Sequence, residues 1–265
     1  IVLAKSITLC TALSMSSMTT NIRIGAGGAF SIISRSLGLE AGASIGIPLY
    51  IAQTLSSALY IIGFTEAWRS IFPSHPYLSV AIIAWAGLFI ISAFSAHVAV
   101  RVQYIIMTLI GLSLISFFAS PASPTDVLMV GEFQDAGFWQ VFAVFFPAVT
   151  GIMAGANMSG DLKNPKKAIP LGTLSAIGVT MVIYLVIAYV ATLIASSAEL
   201  RGNQMIMVDK AFWGPAVLAG IIGATLSSAL GSMVGAPRIL QALSAYKTVP
   251  FYKLFARKSK RNEPL

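Results

Sequence analysis

Residues 145–161 read Phe145-Phe146-Pro147-Ala148-Val149-Thr150-Gly151-Ile152-Met153-Ala154-Gly155-Ala156-Asn157-Met158-Ser159-Gly160-Asp161. Pro147 has no N–H to give a helix and its ring disfavours a continued one. Gly151 and Gly155 weaken the helix further, and Asn157, Ser159 and Asp161 bring polarity into an apolar stretch. The chemistry such a break offers is ionic. A half-helix that ends there presents carbonyls, which suit a cation. One that starts there presents N–H groups, which suit an anion. Unwound backbone at membrane depth is tolerated only where protein or a water-filled cavity satisfies it, and Gly- or Pro-interrupted spans point to transporter sites. The same residues also permit a kinked packing helix, because Gly151-x-x-x-Gly155 is a helix-contact spacing. Both readings stand at this level.

A second candidate is Gly223-Ala224-Thr225-Leu226-Ser227-Ser228-Ala229-Leu230-Gly231-Ser232-Met233-Val234-Gly235. Its small residues allow close helix approach, and its hydroxyls can close on their own backbone. The alternative is a site for a hard cation such as Na⁺, since hydroxyl and carbonyl oxygens suit one. Lys5 lies in the first apolar stretch. An intramembrane charge is a functional hypothesis by default, although a lysine can also snorkel to a surface. Tyr60 falls in the middle of an apolar run, where its hydroxyl needs a partner or a ligand. Glu66, near the end of that run, reads as a gate or interface residue.

Enzyme patterns fail. Gly42-Ala43-Ser44-Ile45-Gly46 matches G-x-S-x-G without the strand–turn–helix context, and helix packing explains it better. Gly25-Ala26-Gly27-Gly28 lacks the third glycine and the strand of a dinucleotide fingerprint, and reads as a tight turn. His75 and His97 both lie near the ends of apolar runs. No H-E-x-x-H occurs, and the single Cys10 excludes a disulfide framework. No catalytic residues, metal beyond alkali cations or cofactor are expected.

The elements that must position these residues are membrane helices. The chain has 265 residues, 57% of them hydrophobic and only 10% charged, with mean hydropathy +0.84. That balance excludes a disordered chain, a disulfide scaffold and an ordinary soluble enzyme. A span needs about 20 mostly apolar residues, which predicts seven at 1–20, 44–67, 77–98, 102–120, 138–160, 171–196 and 213–236. The first carries Ser6, Thr8, Thr11, Ser14, Ser16 and Ser17 and suits a helix buried among others. Of the 17 Lys and Arg residues, 13 fall in alternate connections or the tail: Arg23, Arg35, Arg101, the lysines of 161–170 and the lysines and arginines beyond 237. The other connections hold Arg69, Arg201 and Lys210, with Asp126, Glu132, Asp135, Glu199 and Asp209. The positive-inside rule then puts the basic face and the C-terminal end in the cytoplasm. The net charge of +8 is a topology signal in this setting, and no nucleic acid is expected. Ile1 opens inside an apolar run that lacks a basic leader and a cleavage site, unlike a signal peptide. Residues 1–265 are read as one transmembrane transporter domain, truncated at both ends.

Three blocks resemble the cation–chloride cotransporters, a branch of the amino acid–polyamine–organocation superfamily. The first runs from Thr20-Asn21 through Gly27-Gly28-Ala29-Phe30 and Ile33-Ser34-Arg35-Ser36-Leu37-Gly38 to Gly63-Phe64-Thr65-Glu66. The second is Phe145-Phe146-Pro147-Ala148 through Gly155-Ala156-Asn157-Met158-Ser159-Gly160-Asp161-Leu162, then Ala168-Ile169-Pro170-Leu171-Gly172-Thr173. The third is Ala224-Thr225-Leu226-Ser227-Ser228-Ala229-Leu230, Ala236-Pro237-Arg238 and Gln241-Ala242-Leu243, with Asn262-Glu263-Pro264-Leu265. The resemblance implies an all-α polytopic protein with an inverted-repeat, LeuT-like core, of which this chain covers the second to eighth helices. It also implies site residues: Tyr60, Pro147 and Thr150 for potassium, backbone N–H groups of Gly151, Ile152 and Met153 for chloride, and Ala224, Ser227 and Ser228 for sodium. It gives Lys5 no ion role.

The function expected is secondary active symport of chloride with potassium and/or sodium by alternating access in the plasma membrane. The alternatives are an amino acid permease of the same superfamily and a non-transporting membrane scaffold or regulator. Expected partners are the lipid bilayer, inorganic ions or a small-molecule substrate, and a second copy of the chain in a homodimer.

Overall fold

The computed structural model describes residues 1–21, 27–94, 96–122, 137–157, 159 and 162–258, with the backbone alone for 94 and 96–100. The expectations that rest on Arg23, Gly25, Ala26, the His97 side chain, Asp126, Glu132, Asp135, Met158, Gly160, Asp161 and residues 260–265 lie outside that description. The elements run α1 (Val2–Asn21), α2 (Gly28–Leu37), α3 (Leu39–Ile71), α4 (Tyr77–Phe94), α5 (Ala96–Phe118), α6 (Phe138–Phe145), α7 (Ala154–Asn157), α8 (Pro165–Ile194), α9 (Ser197–Gly202), α10 (Ile206–Asp209), α11 (Gly214–Ala245) and α12 (Tyr252–Phe255).

Among the described residues, 5 helical stretches are long and apolar enough to cross a membrane: Leu39–Ile71, Arg101–Phe118, Phe138–Asn157, Pro165–Ile194 and Gly214–Ala245. A shorter one runs Tyr77–Ala93. These match six of the seven expected spans. The seventh, α1, forms as a 20-residue helix but is not among them, because its hydroxyls and Lys5 lower its apolar character. Ala4, Lys5, Thr8, Ala12, Met15, Ser16 and Thr19 form a buried stripe at helical spacing. Leu3, Ile7 and Leu13 are exposed on the other side, together with Ser6, Thr11, Ser14 and Ser17. Other helices also show large apolar side chains outward, among them Ile83, Val144 and Leu171.

Three boundaries depart from expectation. The connection expected at 21–43 contains α2, whose Ala29, Phe30 and Ile32 are buried. The span expected at 44–67 begins at Leu39, directly after Gly38 at φ 97°. The span expected to end at 236 continues through Pro237 to Ala245. Ile239 and Leu243, both fully buried, pack with Phe30 and Ala242 and hold that extension.

The chain divides into two compact units, one of residues 1–56, 136–181 and 232–265, the other of 57–135 and 182–231. In the first, Met15, Ile32, Ala156 and Ile169 form one core cluster, and Phe30 with the end of α11 forms another. Gly42 and Gly46 of α3 lie against Ser34 and against Phe30 and Leu243, and the Ser44 hydroxyl donates to its own helix at Ala41 O, 2.9 Å away. The G-x-S-x-G match is therefore a packing face. In the second unit, Phe117, Ile194, Ala195, Ile206 and Val217 make the core. There α3 touches α11 where Gly63 meets Thr225.

Candidate functional site

The break expected in the fifth span is present. α6 starts where Gln140 Oε1 accepts from the Gly137 N–H at 2.8 Å. It runs to Phe145 and tightens into a 3-10 turn over Phe146–Val149. Thr150 is then extended (φ −83°, ψ −169°) and Gly151 sits at φ 94°. Only glycine adopts that left-handed backbone without strain. The helix resumes at Ala154. A Cβ at Gly151 or at Gly155 would meet nothing within 4 Å. The Gly151-x-x-x-Gly155 spacing is thus not a close helix contact among the described residues, and Gly151 serves the unwinding.

The Pro147 carbonyl faces its own turn. It accepts from the Thr150 N–H at 3.2 Å and from the Thr150 hydroxyl at 2.7 Å. Of the N–H groups after the break, that of Ala154 returns to Gly151 O at 3.1 Å. Those of Gly151, Ile152 and Met153 donate no backbone hydrogen bond among the described residues.

A cavity of about 360 Å³ lies along this segment. Its wall includes Thr150, Gly151, Ile152 and Gly155 of the break, Thr173 and Thr180 of α8, and Lys5 of α1. Lys5 is 4% exposed, and its ammonium donates to Thr180 Oγ1 at 2.6 Å. It does not snorkel to a surface. Met153 turns away to the cluster around Met15 and Ile169. The structure thus brings Lys5, Thr150, Gly151 and Ile152 to one cavity in one unit. Thr173 and Thr180 complete it, and sequence reasoning missed both. Their only signal was a hydroxyl each in a span that also carries Ser175 and Thr192.

Asn157 closes the far end of α7. It is 2% exposed, and neither atom of its amide has a hydrogen-bond partner among the described residues. Gly28, at φ 56°, packs directly on it, and a Cβ there would collide with the amide. The glycine at 28 is therefore fixed by both backbone and space.

The other expected residues belong to the second unit. Tyr60 is half-buried on α3, three residues before the Gly63 contact with α11. Ala224, Ser227 and Ser228 are half-buried on an unbroken stretch of α11. Thr225 closes on its own helix at Ile222 O, 2.9 Å away. The Ser227 and Ser228 hydroxyls make no such bond among the described residues. Glu66 is exposed. His75 is held by Trp68, whose indole N–H donates to Nδ1 at 3.1 Å, which suits a structural histidine. No group of three metal-ligating side chains occurs among the described residues.

The sequence profile of the amino acid permease family matches residues 1–265. The chain is 32% identical over 330 residues to solute carrier family 12 member 1 of Mus musculus, covering 100% of this chain and 30% of that protein. It is 33% identical over 330 residues to solute carrier family 12 member 2 of Squalus acanthias, covering 99% of this chain and 28% of that one. With solute carrier family 12 member 8 of Xenopus laevis it shares 32% identity over 269 residues, 95% of this chain and 37% of that one. The chain thus spans about a third of the length of these relatives.

Proposed function

Because this chain belongs to the amino acid permease family, whose members are transporters rather than enzymes and whose fold is LeuT-like, we propose that it is the core of a symporter. The symporter moves chloride with potassium, sodium or both by alternating access. The observation that carries the reading is the break at Thr150–Met153, where backbone groups leave the helix beside a cavity in the middle of a multi-pass membrane protein. Such a break places ions where carbonyls and N–H groups replace their hydration shells.

The ion assignments belong to this proposal and come from the resemblance to the cation–chloride cotransporters. Potassium is assigned to Tyr60, Pro147 and Thr150, chloride to the N–H groups of Gly151, Ile152 and Met153, and sodium to Ala224, Ser227 and Ser228. The proposal also takes residues 1–265 as one inverted-repeat transporter domain, in the plasma membrane, with the basic connections on the cytoplasmic side. Two copies form a homodimer. The test is ⁸⁶Rb⁺ uptake by the full-length protein. Uptake should require chloride and should be lost in Tyr60→Ala, and uptake indifferent to chloride overturns the reading.

A second reading is favoured by the cavity itself. Its volume of about 360 Å³ falls in the range of small-molecule sites, ~300–1,000 Å³, which is ample for an amino acid. Uptake of labelled amino acids without any chloride-dependent Rb⁺ flux would select that reading.

A further inference from the structure

We propose that residues 246–258, the segment after α11, are an interfacial anchor that docks on an anionic lipid surface. Lys247, Lys253, Arg257 and Lys258 meet the headgroups, and Phe251, Leu254 and Phe255 enter the acyl boundary. The inference goes beyond the ion sites and depends on none of them. It requires only that α11 crosses the membrane.

The segment is tied to the protein at both ends. The buried Gln241 donates from Nε2 to Arg257 O at 2.9 Å. The Thr248 N–H and hydroxyl both donate to Leu243 O, at 3.2 and 2.7 Å, and Val249 packs on the cluster around Phe30 and Leu243. Between these ties it shows apolar side chains outward. Phe251 is 77% exposed, and Leu254 and Phe255 are exposed beside it. The backbone enforces that display: Phe251 sits at φ 55°, ψ 26°, and Lys247 at φ 59°. A bulky residue takes this left-handed conformation at a cost and keeps it only where its surroundings dictate it. The position is set by α11, which has 32 residues and so measures about 48 Å at 1.5 Å per residue. A bilayer with its headgroups is ~40–45 Å thick, so a spanning α11 brings its end and the segment after it to headgroup level. Charge then names the occupant. Lys247, Lys253, Arg257 and Lys258 are exposed, and none of them makes an ion pair among the described residues. No acidic residue lies between Asp209 and Glu263. Basic side chains interleaved with exposed aromatics suit an anionic membrane surface, where charge attraction and shallow apolar insertion act together.

Amide exchange in α12 tests the proposal, because a four-residue helix protects its own N–H groups poorly and slow exchange there reports docking. Full-length protein is placed in nanodiscs of phosphatidylcholine alone, or of phosphatidylcholine and phosphatidylserine in about equal amounts. Both faces of such a disc carry the same lipid, so the result is independent of orientation and of transport. Wild type should exchange about tenfold more slowly over 252–257 with phosphatidylserine than without it. Salt at about 1 M, which shortens the screening length to about 3 Å, should remove the difference. The triple variant Lys253→Gln, Arg257→Gln, Lys258→Gln should remove it as well. Phe251→Gly relieves the strained backbone while deleting the apolar contact, so it should melt no lower than wild type and still lose the slow exchange. A segment covered by another part of the full-length protein, or by a second copy, predicts equal exchange with and without phosphatidylserine, and that result overturns the proposal. Wild-type protection in Phe251→Gly or in the triple variant overturns it too.

Discussion

The Lys5 ammonium and the Thr180 hydroxyl lie 2.6 Å apart across 175 residues of sequence. Thr180 in turn donates to its own helix at Ala176 O, 2.7 Å away. The hydroxyl therefore accepts from the lysine with its proton already directed elsewhere, and it joins α1 to α8 through a polar bond in an apolar setting. Replacing Thr180 with Val preserves shape and removes the acceptor. A buried charged donor that loses an acceptor costs about 1–3 kcal/mol. Thr180→Val should therefore melt several degrees below wild type in detergent, and Thr180→Ser should restore most of the loss. An unchanged melting temperature in Thr180→Val would show that the bond carries no weight.

Gly151 gives a prediction in which backbone and packing separate. Its φ of 94° penalises any side chain, yet a Cβ there meets nothing within 4 Å. Gly155 has the same open space without a left-handed backbone. Gly151→Ala should thus cost about 1–2 kcal/mol through backbone strain alone and depress transport. Gly155→Ala should be neutral or slightly stabilising, as expected for Gly to Ala in a helix. Paired melting curves check the difference. Equal losses in both variants would restore the helix-contact reading of the spacing.

The Ser196–Glu199–Lys210 cluster predicts an acid-sensitive loop. Ser196 caps α9, with Glu199 accepting from its backbone N–H at 2.9 Å and from the Lys210 ammonium at 2.8 Å. The bond from Lys210 first, then those from Ser196, hold the Glu199 carboxyl well below its ordinary 4.5, at about 2. A carboxylate with a depressed pKa stabilises above its unfolded value and loses that contribution as pH falls through the folded one. The cap should therefore be intact above pH ~4.5 and loosen as pH drops toward 2. The group is exposed, so the effect is local. Amide exchange in the first turn of α9 should rise over that window, and Glu199→Gln should flatten the dependence. A window centred near neutral pH would contradict the assignment.

How much of this was legible in the sequence depended on range. Pro147 and Gly151 announce the break because their backbone limits are local, and the apolar spans announce themselves by length. The same local logic misplaced the ends of helices. The span expected at 213–236 runs on through Pro237 to Ala245, where Ile239 and Leu243 are fully buried. α2 was hidden in a connection because its 10 residues are too few to cross a bilayer, although Phe30 anchors a core cluster. The partner of Lys5 was beyond any pattern, since nothing near Thr180 marks it and only the packing of α1 on α8 joins them. Tyr60 and the serines of 223–235 stood out by hydroxyls in apolar runs, the resemblance alone gave them ions, and their half-buried places on α3 and α11 add no further signal.

Ser227 and Ser228 allow a test of sodium coupling that stability does not confound. Most hydroxyls in these helices close on a carbonyl of their own turn, as Thr225 does at Ile222, and removing such a group disturbs a satisfied bond. Ser227 and Ser228 make no hydrogen bond among the described residues, so their oxygens remain available as ligands. Ala substitution at each should change the melting temperature little, and Ala also has the better helix propensity, by a few tenths of a kcal/mol. If the pair coordinates sodium, each variant should raise the Na⁺ concentration for half-maximal Rb⁺ uptake about tenfold while leaving the chloride dependence in place. A transporter that needs no sodium predicts a different result: identical uptake in Na⁺ and in N-methylglucamine for wild type and both variants. In that case the two serines are packing residues of α11.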